Sequence, residues 1–104
     1  MVASLYYVYI VRCNDTTLYT GYTTNVERRV ALHNAGKGAR YTRARLPVVL
    51  MVSWQFATKG EALRTEYALK RLPRAQKLRL LENPTLLAQL VTVTDQDGDA
   101  RNIM

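Results

Sequence analysis

Cysteine and histidine are almost missing. The 104-residue chain has one of each, Cys13 and His33. No intramolecular disulfide can form, and no Cys- or His-cluster metal site can be built. A metal here rests on carboxylates, carbonyls and water, a donor set that suits Mg²⁺ or Mn²⁺. Long apolar runs are missing too. The longest, Leu46 to Val52, falls far short of the ~20 residues that cross a bilayer, so no membrane span is expected. Residues 1–11 are apolar, but no positive charge precedes them and Tyr and Val dominate. That composition fits a strand rather than a signal peptide, and the expected compartment is a reducing cytoplasm. Acids are scarce, 8 against 15 Lys plus Arg.

The basic surplus is concentrated. Residues 1–82 hold 14 of the 15 basic residues and 5 of the 8 acids, whereas the last 22 residues are net acidic. The basic residues fall in two groups, Arg28 to Arg45 and Lys70 to Arg79, and Arg outnumbers Lys 11 to 4. Such a surplus in a small protein points to a polyanion partner, and the planar Arg fork suits phosphate. The plain alternative is a basic soluble protein with no nucleic-acid role. At 48% hydrophobic and 22% charged residues, the chain has the composition of one globular domain.

Element signals follow in order along the chain. Leu5 to Arg12 reads as a strand, Asn14-Asp15-Thr16 as a turn and Thr17 to Gly21 as a second strand, together an antiparallel hairpin. Thr24-Asn25-Val26-Glu27 fits a capping box for a helix from about Asn25 to Asn34, ended by Gly36. Val26 and Val30 would face its core. Lys37 to Pro47 reads as a basic loop punctuated by Gly38 and Pro47. Val48 to Phe56 is a strand so apolar that a central, doubly covered place is expected. Thr58-Lys59-Gly60-Glu61 is a second capping box, opening a helix to about Leu72. Pro73 and Asn83-Pro84 open two more helices, to Leu81 and about Val91. The expected fold class is α/β, with a three-stranded sheet flanked by helices in the order β-β-α-β-α-α. One domain covers 1–91, followed by an acidic, flexible tail, 92–104. Leu78, Leu81, Leu86, Leu87 and Leu90 would close the core rather than form a dimer surface.

Some residues stand out against this frame. Glu66 falls inside an apolar stripe of Ala62, Leu69 and Leu72, where a carboxylate needs a partner or a metal. The alternative buries a Leu63–Tyr67 stripe and leaves Glu66 at its edge, paired with Lys70. Arg29 and His33 share one helix face, four residues apart. Arg29 reads equally as a snorkelling side chain, and His33 as a packing residue. Seven tyrosines against one Phe keep hydroxyls that are costly to bury unpaired; Tyr7 and Tyr9 share one face of their strand and Tyr6 takes the other. They suit either a half-exposed sheet or a wet cleft lined with phenols. Cys13, beside the turn, reads as a small buried residue.

Tyr7-Val8-Tyr9, with Tyr19-Thr20-Gly21 ten residues on, resembles the two halves of the GIY-YIG nuclease signature. Thr24 to Val30, followed by His33, is similar to that family's first helix, with its Arg at Arg29. Glu61 to Glu66 is similar to the helix that carries its metal-binding Glu, at Glu66. The likeness covers residues 4–82 and is nearest to small stand-alone bacterial proteins of the family. Tyr7 replaces the first Gly and Thr20 the Ile of the signature, Asn83 is a weak counterpart of a terminal Asn in larger relatives, and no second domain accompanies the nuclease-like one.

The resemblance implies a metal-dependent DNA endonuclease in DNA repair or processing. Its catalytic residues would be Tyr9, Tyr19, Arg29, His33 and Glu66, with Gly21 as a structural motif residue. Glu66 would hold one Mg²⁺ or Mn²⁺, keeping most of its waters. Arg29 would grip phosphate oxygens. Tyr19 would take the proton from water and Tyr9 would hold Tyr19 or the water. An ordinary phenol, with a pKa of ~10, is a poor base at pH 7, so His33 is an alternative acceptor. Arg40, Arg43, Arg45, Lys70, Arg71, Arg74 and Lys77 would track the DNA backbone, and Tyr41 would stack on an unpaired base. Branched or single-stranded DNA fits these features, and RNA is a further candidate. Two other readings remain: a nucleic-acid-binding module that cuts weakly, and a subunit whose protein partner supplies target recognition.

Overall fold

The computed structural model describes residues 5–90, so the stretch read as an acidic tail lies outside the described residues. The Tyr/Val/Ile run forms β1 (Tyr6–Arg12) and the second strand forms β2 (Leu18–Thr23), paired antiparallel with Tyr9 opposite Gly21 and Val11 opposite Tyr19. The turn between them is closed by the Cys13 amide donating to the Thr17 carbonyl at 2.8 Å. Thr16 takes φ 69° there, a left-handed conformation uncommon for a β-branched residue. Asp15 accepts from the Thr17 hydroxyl at 2.6 Å and from the Thr17 amide at 3.1 Å. Those bonds, with the charge of Arg45, hold its carboxyl below the usual range.

The third strand, β3 (Val49–Phe56), corrects one expectation. It lies at the sheet edge in the order β2-β1-β3, with Val49 49% exposed and Leu50 40%. A continuous apolar run marks a doubly covered strand mainly in parallel sheets. In this antiparallel sheet β1 takes the middle. Along β3, half-buried Val52, Trp54 and Phe56 alternate with exposed Ser53 and Gln55.

The helices also shift slightly from expectation. Helix α1 (Val26–Asn34) is capped by Asn25, not Thr24: its side chain accepts from the Arg28 amide at 3.0 Å. Asn caps as well as Thr, and the Asn25 amide is itself taken by the Thr23 hydroxyl. Gly36, at φ 79°, ends α1 with the Gly36 amide bonded to the His33 carbonyl and the Lys37 amide to the Leu32 carbonyl, the Schellman pattern. The expected loop Lys37 to Pro47 contains one helical turn, α2 (Arg40–Arg43). A single turn is too short to show a hydrophobic period. Helix α3 (Lys59–Lys70) is capped by Thr58 as expected, its hydroxyl accepting from the Glu61 amide at 3.1 Å. Helix α4 (Arg74–Glu82) follows Pro73, and a 3₁₀ turn at Pro84–Leu86 leads into helical residues up to 90.

The pleat sends alternate residues of β1 to opposite faces, and each face meets a different layer. Val8 packs with Ala62, Ala68 and Leu69 of α3 and with Leu80 and Leu87 beyond it. Leu86 and Leu90 pack against that core, as expected, whereas Leu78 is largely exposed. Tyr9, Val11 and Cys13 pack on the other face with Val48, Val30 of α1 and Leu46. Among the described residues no helix is long and apolar enough to cross a membrane.

Candidate active site

The polar groups converge at Tyr9. Its side chain leans across Gly21 on β2: a Cβ at that glycine would stand 2.4 Å from the Tyr9 hydroxyl. Only glycine admits the ring there. Tyr9 is 1% exposed, and its hydroxyl is hydrogen-bonded to His33 Nε2 at 2.8 Å. The positive charge of Arg29 favours ionisation of the same hydroxyl, and the charges of Tyr19 and Glu66 oppose it. Burial pushes the Tyr9 phenol above its ordinary value of 10.0; Arg29 pulls the other way but does not cancel it. Tyr9 is therefore a protonated, hydrogen-bonding phenol at neutral pH.

His33 is 0% exposed, on the inner face of α1. Burial, assisted by the Arg29 charge, holds its pKa below 6.5, so the ring is neutral at pH 7 and cannot reach solvent directly. The Tyr19 ring meets it edge-on at 5.5 Å and stacks on Tyr41 at 6.0 Å. Tyr19 is only half-buried. Of the groups at this cluster, its phenol is better placed than His33 to meet water.

Arg29 contributes an open donor. Its Nε is buried with no hydrogen-bond partner among the described residues. An orphaned buried donor on a permanent cation suits a bound anion.

On α3 the buried residues are Ala62, Thr65, Ala68 and Leu69, while Leu63 and Tyr67 are exposed. The inward stripe of the two sequence alternatives is thus the observed one. Glu66 sits at its margin, 19% exposed at the side chain, and still makes the ion pair of the other alternative, to Lys70 Nζ at 3.2 Å. Helix α3 therefore serves two purposes, an apolar wall and a carboxylate at its rim. No group of three or more potential ligand residues exists among the described residues. The donor set that fits a hard cation is the single Glu66 carboxylate completed by water and substrate oxygens.

The basic residues split. Arg40, Arg43, Lys70, Arg71 and Arg74 are exposed. Arg45 is engaged: its Nε donates to Asp15 at 3.0 Å, its Nη1 to the Tyr41 carbonyl at 2.7 Å, and it lies 3.9 Å over the Tyr41 ring. Arg71 donates to the Tyr67 hydroxyl and Arg74 to the Thr16 carbonyl. Lys70 and Lys77 line one pocket of about 310 Å³ with Leu18, Tyr19, Thr20 and Tyr41. Burial and the Lys70 charge hold the Lys77 pKa below its ordinary value.

Two residues escape a sequence reading of the cluster. Thr42 Oγ1 is 2.8 Å from His33 Nδ1, and Thr42 is wholly buried. Gly38 packs so closely that a Cβ there would stand 2.3 Å from that same nitrogen. Neither carries a periodic signal, because α2 is one turn long. Gly38 enters the sequence reading only as loop punctuation.

Comparison with known proteins shows what the chain as a whole is similar to. A family model described as the GIY-YIG catalytic domain matches residues 5–79. The UPF0213 protein SH2523 of Staphylococcus haemolyticus is 60% identical over 77 residues, covering 74% of this chain and 94% of that protein. The UPF0213 protein NP_0776A of Natronomonas pharaonis is 54% identical over 84 residues, covering 81% and 99%. The solution NMR structure of the UPF0213 protein BH0048 from Bacillus halodurans matches with a TM-score of 0.51 at 50% identity, over 75% of this chain and 83% of that one. The protein EF2693 from E. faecalis matches with a TM-score of 0.55 at 42% identity, over 79% and 88%.

Proposed function

This chain belongs to the GIY-YIG family, and on that premise we propose that it is a metal-dependent endonuclease that hydrolyses DNA phosphodiester bonds in repair or processing. The observation that carries the reading is the cluster of Tyr19 with the buried Tyr9–His33 pair, with the charges of Arg29 and Glu66 acting on the Tyr9 hydroxyl and the buried Arg29 Nε without a partner among the described residues. A phosphodiester needs its charge held, a water aligned and its leaving oxygen stabilised.

The roles follow from position. Arg29 binds the non-bridging oxygens of the scissile phosphate through its guanidinium, and that bond strengthens as charge builds on them. Tyr19, with the accessible phenol, orients the attacking water by a hydrogen bond. Tyr9 and His33 stay sealed behind them. Glu66 is the residue that would hold Mg²⁺ or Mn²⁺, an ion that supplies a Lewis acid for the phosphate and the leaving oxygen. The exposed Arg40, Arg43, Lys70, Arg71, Arg74 and the half-buried Lys77 meet the DNA backbone, with Tyr41 as a stacking surface for an unpaired base.

The test is cleavage of labelled duplex, single-stranded, flap and branched DNA with Mg²⁺, Mn²⁺ or EDTA. Product that needs the metal and disappears in Glu66→Ala and in Arg29→Ala is expected. Full activity of a pure Glu66→Ala preparation would sink the assignment.

A further inference from the structure

The Tyr9–His33 pair does not end at His33. His33 Nδ1 is 2.8 Å from Thr42 Oγ1, and Thr42 Oγ1 in turn donates to the Ala39 carbonyl at 2.9 Å. The line has a fixed end: a backbone carbonyl can only accept. Thr42 has one hydroxyl proton, and the carbonyl takes it. Thr42 Oγ1 must then accept from His33 Nδ1–H, which leaves Nε2 as the acceptor. Nε2 takes the Tyr9 proton, and the Tyr9 oxygen is left as an acceptor. One contact opposes this order: the Ala39 amide points at Nδ1 at 3.4 Å. It is longer than the 2.8 and 2.9 Å contacts, so the shorter pair sets the direction.

We infer that Thr42 is a positioning residue of the active site: through the tautomer of His33 it fixes the direction of the Tyr9 proton, so that the Tyr9 oxygen stands as an acceptor at the centre of the cluster. The α2 turn and Gly38 form its mount. Gly38 lets the chain lie against the imidazole, where a Cβ would meet Nδ1 at 2.3 Å and Cγ at 2.7 Å. The turn places the Thr42 hydroxyl and the Ala39 carbonyl beyond the same nitrogen. The segment from Gly38 to Thr42 thus does more than present Arg40 and Tyr41 to solvent; its buried side fixes a histidine. His33 is, in this account, a neutral link and not the base that takes a proton from water. A tautomer held by a neighbour's hydrogen bond is a familiar way to orient an imidazole. The inference rests on the nuclease reading for its catalytic consequence, but the hydrogen-bond order can be tested without it.

The experiment joins NMR to kinetics. In the wild-type protein with ¹⁵N-labelled histidine, His33 should show a protonated Nδ1 and a bare Nε2 at pH 7. The reverse tautomer would overturn the inference, whether or not the protein cuts DNA. Thr42→Val, which keeps the shape and removes the acceptor, should abolish that tautomer preference. It should lower kcat about 10- to 100-fold, the usual cost of losing an orienting hydrogen bond, with a smaller change in KM. Thr42→Ser should restore both tautomer and rate. If Thr42→Val does not fold, the wild-type tautomer and the serine variant carry the test. A serine variant with altered tautomer and full activity contradicts it. If the wild type shows the expected tautomer but cuts nothing under any metal, the nuclease reading fails and the hydrogen-bond order survives.

Discussion

The two faces of β1 carry the same backbone and opposite chemistry. The face of Val8 is closed by Ala62, Leu69, Leu80 and Leu87, all apolar and buried. The face of Tyr9 also packs Val11, Cys13 and Val48, but there His33 and Thr42 are buried as deeply and linked by hydrogen bonds. Burial on the first face is worth about 25 cal/mol per Å² with no geometric demand. Burial on the second is favourable only while each polar atom keeps its partner. Nearly equal burial therefore serves two ends: one face holds the fold, the other holds a donor at a fixed angle. Glu66 links them through its charge: it stands at the rim of the apolar stripe that α3 lays on the first face, and its field is felt at Tyr9 on the second.

The largest expected effect breaks the apolar face. Leu69→Ala should cost about 2–5 kcal/mol of stability, read from a denaturant midpoint, while the rate per folded molecule stays near wild type. Next comes the polar face. Arg29→Ala or Glu66→Ala should lower kcat by roughly 10²–10³-fold with a melting temperature close to wild type, since each side chain is partly exposed and neither fills the core. Gly21→Ala acts on both readouts. Its Cβ meets the Tyr9 ring in the sheet, where the backbone cannot yield, so about 1–3 kcal/mol of stability should be lost together with most of the activity.

Much of this division was legible in the sequence, and the reasons for the rest are physical. The hairpin, the Thr58 cap and the Glu66 stripe each rest on a local rule, and each is observed. The place of β3 is a matter of strand order, which no local pattern encodes; its apolar run describes side chains, not neighbours. The cap of α1 moved by one residue because Thr24 and Asn25 are both good caps and the Thr23 hydroxyl favours the second. Arg29 and His33 were visible as a pair at i, i+4, but the sealing of His33 depends on Gly38 and Thr42 across a single helical turn. Arg45 looked like a DNA contact by charge alone; its bonds to Asp15 and Tyr41 arise from the fold.

Smaller effects sharpen the comparison. Because folding holds the His33 pKa below 6.5, the unfolded chain binds the proton first as pH falls. The His33 contribution to stability is thus complete above about pH 6.5 and is lost as pH drops toward the lower folded value. Thermal melts from pH 7.5 to 5 should show the decline, and His33→Gln should flatten it. The smallest effect belongs to the surface. Arg43→Ala should weaken DNA binding uniformly across sequences and reduce the slope of log affinity against log salt by about one, leaving kcat at saturating DNA unchanged.

The central claim, that one face of β1 holds the fold and the other the chemistry, is met most directly by one assay. Cleavage rate per folded molecule is measured side by side for wild type, Glu66→Ala and Leu69→Ala, with Mg²⁺ and below the midpoint of each melt. The account predicts a rate near wild type for Leu69→Ala and almost none for Glu66→Ala. Equal losses in the two variants, or an active Glu66→Ala, would contradict it.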